Sequence, residues 1–308
     1  MDFLISTLQN ALPVFLALGL GMLCRSLKFL TRDGIDALKK VVLNITLPAV
    51  LLGAFATTEY SLATAMLPVS MFAVCCLGLG VGFILVKLFR GKSRLAPFVA
   101  SGFEAGMLGY ALFALLFPEE NISSFAIIDL GQTLFVFTLY KILLSGQKSI
   151  KAIFADMVKT PILWAVFAGV ILGVTGLYGK MGDFQSVFTG ITDFVSAPTA
   201  MIILLAVGYD LVPREIPWKK VAGLIALRIA AMAVCLGALL ALNRWVLGGM
   251  LFSGAAVLMC ILPPPYVIPV FADEPGERVQ ISSGLSALTL LTMVLFGVYS
   301  IIINLQIS

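Results

Sequence analysis

The chain contains no histidine. The side chain that most often shuttles protons and binds metals near neutral pH is therefore missing, and any proton chemistry falls to carboxylates. Cysteine is scarce. Cys24, Cys75, Cys76, Cys235 and Cys260 lie in or beside apolar runs with no metal-ligand spacing. Such cysteines read as small buried hydrophobes; no metal site is legible, and whether a metal binds is left open. No GxxxxGK[ST] or HExxH occurs. That removes an ATP-driven motor and leaves no evident catalytic centre, so the sequence indicates neither an enzyme nor a cofactor. Charge is also sparse, at 12% of residues, against roughly 25% in soluble domains.

Apolar side chains fill the space that charge leaves. They make up 60% of the 308 residues, and the mean hydropathy is +1.08. A water-soluble fold of this length could not hide that much apolar surface, so the solvent is a lipid bilayer. Runs long enough to span it occur at Leu4–Cys24, Leu38–Ala56, Ala65–Leu88, Ala96–Phe117, Ile122–Leu144, Pro161–Leu177, Ser186–Leu211, Val221–Leu242, Met250–Phe271 and Val279–Ile303. They are too long and continuous for the alternation of a β-barrel. The expectation is an all-α polytopic membrane protein of ten spans. The first run has no basic flank or cleavage signature, so it reads as a retained helix rather than a signal peptide.

The loops between these runs carry charge unevenly. Of the 20 basic residues, 17 fall on one side, in alternate connections or the run ends that flank them, Lys180 and Arg244 fall on the other, and Arg228 lies deep inside a run. Positive charge marks the cytoplasmic side, which places the protein in the cell membrane with both termini on the extracytoplasmic side. The same charges are loop charges, so they do not imply nucleic acid. The longest polar connection, 146–158, divides the chain into halves 1–145 and 159–308 of five spans each. Five is odd, so the second half enters the membrane inverted, which is the arithmetic of an inverted repeat. Weak internal likeness agrees: LPAVLL around Pro48 against APTAMIILL around Pro198, and FPEE at 117–120 against FADE at 271–274.

The fourth and ninth spans should be interrupted helices. The ninth contains LPPPYVIP, with Pro263, Pro264, Pro265 and Pro269. Each internal proline removes a donor and clashes with the preceding turn, so three in a row cannot continue an α-helix. The fourth contains SGFEAGMLGY, three glycines around Glu104. Freed main-chain groups at membrane depth are tolerated only inside protein or beside a polar cavity. Half-helix N-termini there suit an anion, and freed carbonyls suit a cation. The glycines also admit a plainer reading as close helix packing, with Gly102 and Gly106 as one GxxxG pair and Gly169 and Gly173 as another.

VVLNITLPAVLLGAF (41–55), SGFEAGMLGYALFALLF with IIDLGQTLFVFTL (101–117, 127–139), and ILPPPYVIPVFADEPGERVQISS (261–283) together resemble the auxin efflux carrier family of secondary transporters, in its short microbial form. The resemblance implies two inverted five-helix repeats with fourth and ninth helices crossing. It implies a scaffold of the first, second, sixth and seventh helices and a mobile domain of the rest. It further implies small organic anions as substrates and, often in the family, a homodimer. On this likeness Glu104 stands where the family commonly carries a substrate-contacting asparagine, and Gln132 matches its fifth-helix glutamine. Leu51 replaces a serine of the plant proteins, and Ala111 replaces a proline.

The expected substrate-binding residues are Glu104, Ala105, Gly106 and Gln132, with Asn44, Pro264, Pro265 and Tyr266; the expected proton-coupling residues are Glu104, Asp129 and Asp193. A fixed negative charge would repel an organic anion, whereas a protonated carboxyl, the form that desolvation favours, donates a hydrogen bond to it. Alternatively an ionised Glu104 binds a cation or an amine, or pairs structurally with a neighbouring helix. Asp129 shares a helix face with Gln132. Asn44 could bond a carbonyl near Pro48 or line the cavity. Asp210 and Arg228 are expected to pair with each other. Together these residues describe a carrier of a small organic anion, proton-linked and working by alternating access in the lipid bilayer. A sodium-coupled carrier of another solute and a membrane ligand sensor that moves nothing are the alternatives.

Overall fold

The computed structural model describes residues 2–58, 60–61, 64–91, 93–145, 159–272 and 274–307. Among these there is no strand, and the 146–158 connection lies outside them. The helices are α1 (Asp2–Ser26), α2 (Arg32–Ala56), α3 (Met66–Leu88), α4 (Ala96–Val99), α5 (Ala105–Leu116) and α6 (Ser123–Leu144). They continue with α7 (Pro161–Val174), α8 (Phe184–Ser196), α9 (Thr199–Asp210), α10 (Trp218–Trp245), α11 (Ser253–Ile261) and α12 (Pro275–Ile307). Six segments are long and apolar enough to cross a membrane: α2, α3, α6, the α8–α9 stretch, α10 and α12. Shorter apolar helices accompany them. The 23 residues of α3 extend about 35 Å at 1.5 Å per residue, enough for the hydrocarbon core. Large apolar side chains face outward, Phe194 at 83%, Ile84 at 66% and Phe167 at 60% exposure. In water such a surface would aggregate; in lipid it is ordinary. The molecule is a multi-pass helical membrane protein.

Three helices are interrupted, each for a local reason. The fourth run breaks at 100–104, where Gly102 takes φ +69°, a conformation glycine adopts without steric cost. The ninth breaks after Ile261, where Leu262 is extended and Pro263, Pro264 and Pro265 supply no donors. The seventh, expected as one helix, is split between Ser196 and Thr199 at Pro198. Proline acts differently in α2, where Pro48 follows a π-turn over Val42–Thr46 that keeps the helix continuous.

Small residues set the packing. Helix α1 lies along α9, and a Cβ on Gly208 would strike the Leu18 backbone, as one on Gly21 would strike that of Leu205 and Tyr209. Helix α7 lies along α2, with Gly169 and Gly173 against Leu52, Phe55 and Tyr60. The GxxxG reading therefore holds for that pair. It fails for Gly102 and Gly106, which belong to an interruption and not to one helix face. Gly131 of α6 meets the backbone of Pro68 in α3, and α10 packs on α3, α11 and α12. At the basic end Asp210 pairs with Arg32 and Lys39. The expected Asp210–Arg228 pair is not formed: two closer cations take Asp210, and Arg228 turns into the core.

Replacing Gly208 with valine should overpack the α1–α9 contact and cost about 1–3 kcal/mol. The measurement is the melting temperature of the detergent-purified protein, and an unchanged value would contradict the interlock.

Candidate functional site

The two interruptions meet. The Glu104 N–H donates to the Pro263 carbonyl at 2.9 Å, and the Gly102 backbone lies against the Pro265 ring. A β-carbon at Gly102 would sit 2.9 Å from Pro265 Cγ, so this approach needs glycine as much as the backbone angle does. Side chains take up part of what both interruptions free. The Phe103 carbonyl accepts from Gln132 Nε2 at 2.6 Å. The Phe98 carbonyl accepts from Tyr140 at 2.9 Å, and the Ile261 carbonyl from Thr292 at 2.6 Å. Arg228 supplies three more bonds, to Val99, Gly102 and Leu262.

The donor side of the crossing converges on one carboxylate. Glu104 Oε2 accepts the Tyr266 N–H at 2.7 Å, and Oε1 accepts the Met107 N–H at 3.3 Å. Met107 lies in the first turn of α5, and Tyr266 lies just past the prolines. One donor therefore comes from each interruption. Helix N-termini and open turns present such N–H groups to anions, and here the oxygens that accept them are the protein's own. No arginine or lysine forms an ion pair with Glu104 or Asp129 among the described residues.

Glu104 opens into a cavity of about 370 Å³. Its walls are Leu43, Leu47 and Leu51 of α2, Phe103, Gly106 and Tyr110, Asp129, Gln132 and Phe137 of α6, and Pro265, Tyr266 and Phe271. The cavity runs toward Lys141 and Leu144 at the basic end of α6. It is an apolar box with a few directed polar atoms, the usual make-up of a small-molecule site. The Tyr110 hydroxyl donates to Asp129 Oδ2 at 2.8 Å, and the Tyr266 hydroxyl meets Thr289 at 3.0 Å. Gln132 Oε1 and Asp129 Oδ1 are buried and have no hydrogen-bond partner, although Thr133 lies beside Asp129. A second cavity, of about 390 Å³, lies toward the other end of α6, by Asn121 and Ile122. Tyr110 lines both.

The expected site residues divide accordingly. Glu104, Gly106, Gln132, Asp129, Pro265 and Tyr266 share the first cavity. Ala105 and Pro264 are buried and do not line it. Asn44 is exposed and bonds the Lys40 carbonyl at 2.7 Å; the helix turn carries it off the wall that Leu43 and Leu47 form. Asp193 is exposed and lines the second cavity, away from Glu104. Sequence reasoning missed Tyr110, and it gave Arg228 the wrong partner. One signal was present: α10 contains no acid, so a mid-helix arginine had to find its acceptors on other elements. Among the described residues no group of three His, Cys, Asp or Glu could hold a metal ion.

No protein-family model matches the chain. It is similar to an uncharacterized transporter of Methanothermobacter thermautotrophicus, 27% identical over 98% of this chain and all of the relative. It is also similar to an uncharacterized transporter of Methanocaldococcus jannaschii, 25% identical over 70% of this chain and 72% of the relative. Fold and relatives together describe a polytopic membrane protein of transporter type.

Gly102→Ala should destabilise the crossing, since a left-handed non-glycine residue costs about 1–2 kcal/mol before any clash with Pro265. Thermal unfolding in detergent measures it, and a melting temperature equal to wild type would show that the tight approach is absent.

Proposed function

We propose that this chain is a secondary active transporter of a small organic anion, linked to protons and working by alternating access. One observation carries the reading: Glu104 holds, with a carboxylate, the two main-chain N–H groups that the interruptions bring together. A substrate carboxylate fits the same donors. It competes with Glu104 while Glu104 is ionised, because two like charges cannot share so small a space. Protonation changes the contest. A neutral Glu104 releases the N–H groups and donates its own hydrogen to the incoming anion. Proton uptake and anion binding then strengthen each other, and linkage makes the effect reciprocal. The apolar walls select a solute with a small hydrocarbon body.

The architecture supports the transport step. We read the halves 1–145 and 159–308 as inverted five-helix repeats. The α1–α9 pair and the α7–α2 pair are the contacts that exchange under such a twofold relation, and the fourth run of each half is interrupted. In this reading α1, α2, α7, α8 and α9 are the scaffold and the remaining helices carry the crossing past it. Tyr110 separates the two cavities, one for each side of the membrane. The basic end is cytoplasmic, and both termini lie outside. In a cysteine-free background, a cysteine at Gly248 should react with an impermeant maleimide in intact cells and one at Gly91 should not; the reverse pattern would invert the orientation.

The functional test is counterflow in proteoliposomes with acetate, lactate, benzoate, malonate and succinate. At least one acid should exchange, faster as pH falls through the Glu104 titration, by up to about tenfold per pH unit for one proton. Glu104→Gln should keep exchange and flatten that profile. Exchange of none of these acids would overturn the reading, and an unaltered pH profile in the glutamine variant would remove Glu104 from coupling.

A further inference from the structure

Arg228 is the only buried arginine or lysine among the described residues. Burying a guanidinium at membrane depth is costly unless its donors are met. Its partners are not acids, and they reach only the two Nη groups, while the buried Nε has no hydrogen-bond partner. Nη1 donates to the Val99 carbonyl at 3.2 Å and the Gly102 carbonyl at 2.9 Å, and Nη2 donates to the Leu262 carbonyl at 2.8 Å. The first two oxygens belong to the interruption before Glu104, the third to the interruption before Tyr266. The guanidinium also lies over the Phe103 ring, 5.2 Å from its centroid. Phe103 is the residue whose carbonyl Gln132 holds. One side chain thus joins both interruptions on their carbonyl side, as Glu104 joins them on their N–H side.

Three converging carbonyl oxygens are the donor set that an alkali-metal ion takes in membrane proteins. Here a planar, permanently charged group has taken them, and its fixed fork suits several acceptors at once. Arg228 does not line the Glu104 cavity. It borders a separate small cavity of about 140 Å³ with Cys260, Leu262 and Pro263. It therefore acts on the site through the backbone and not by touching a solute.

We propose that Arg228 is the resident cation of the crossing: its guanidinium clamps the freed carbonyls of both interruptions, holds the Met107 and Tyr266 N–H groups in one cradle, and fills the place a coupling alkali-metal ion would need. This rests on the crossing being the transport site. It deepens that reading by excluding sodium at this position and by assigning a positioning residue.

The experiment uses the full chain in proteoliposomes, with whichever of the five acids exchanges fastest. Wild-type exchange should be the same in sodium chloride as in choline chloride. Arg228→Ala should lose about tenfold or more, the size of one lost hydrogen bond to a charged group. Guanidinium chloride at millimolar concentration should restore much of it, and equal sodium chloride or urea should not. Arg228→Lys should keep more exchange than Arg228→Met, which is similar in size but uncharged. A wild-type requirement for sodium, a methionine variant equal to wild type, or rescue by sodium or urea as good as by guanidinium would each overturn the proposal. If the alanine variant does not fold, the choline comparison and the lysine–methionine pair decide. If wild type exchanges no acid in any medium, the carrier reading fails. The melting temperature of Arg228→Ala in detergent should then rise with millimolar guanidinium and not with equal sodium, and equal values in the two would overturn the clamp.

Discussion

A bilayer offers no water to a broken helix, and that constraint organises this molecule. Wherever α4 and α11 stop, N–H and C=O groups lose their helical partners at a depth where each unpaired group costs several kcal/mol. The structure answers with side chains drawn from the surrounding helices. Gln132 and Tyr140 come from α6, Arg228 from α10, Thr292 from α12, and Glu104 from the interruption itself. Gln132, Arg228 and Thr292, polar residues that look out of place in apolar runs, are among these partners.

The same constraint explains why the polar groups are divided by sign. Acceptors on one side of the crossing converge on a guanidinium, and donors on the other side converge on a carboxylate. Broken helices expose both kinds of group in a small volume, and grouping them lets two charged side chains satisfy five main-chain atoms. The carboxylate side faces a cavity and the guanidinium side does not. On the proposed reading, that asymmetry lets a solute replace Glu104 while Arg228 stays a fixed part of the frame.

Much of the fold was legible before any coordinates. The apolar runs located the helices, because hydrocarbon thickness fixes their length. Three adjacent prolines located the break before Tyr266, because a missing donor cannot be repaired within one helix. The glycines of 102–109 were ambiguous. Packing and interruption both favour glycine, and only the φ of Gly102 with Pro265 against it separates the two. Pro48 and Pro198 looked equivalent in sequence, yet one is absorbed by a π-turn and the other ends a helix. Asn44 was misplaced because a step of one residue along a helix moves a side chain by about 100°, enough to leave the cavity wall.

The sequence alone determined the solvent, the helical class, the charge asymmetry of the loops and the place of the proline break, since each follows from composition or local stereochemistry. It also singled out Glu104, because an acid among glycines in an apolar run has few explanations. Only the tertiary structure decided partners. That Asp210 belongs to Arg32 and Lys39, that Arg228 holds carbonyls, and that Glu104 receives an N–H from a residue 162 positions away depend on which helices lie side by side. Partner choice turns on distances between segments remote in the chain, and no local pattern encodes those distances.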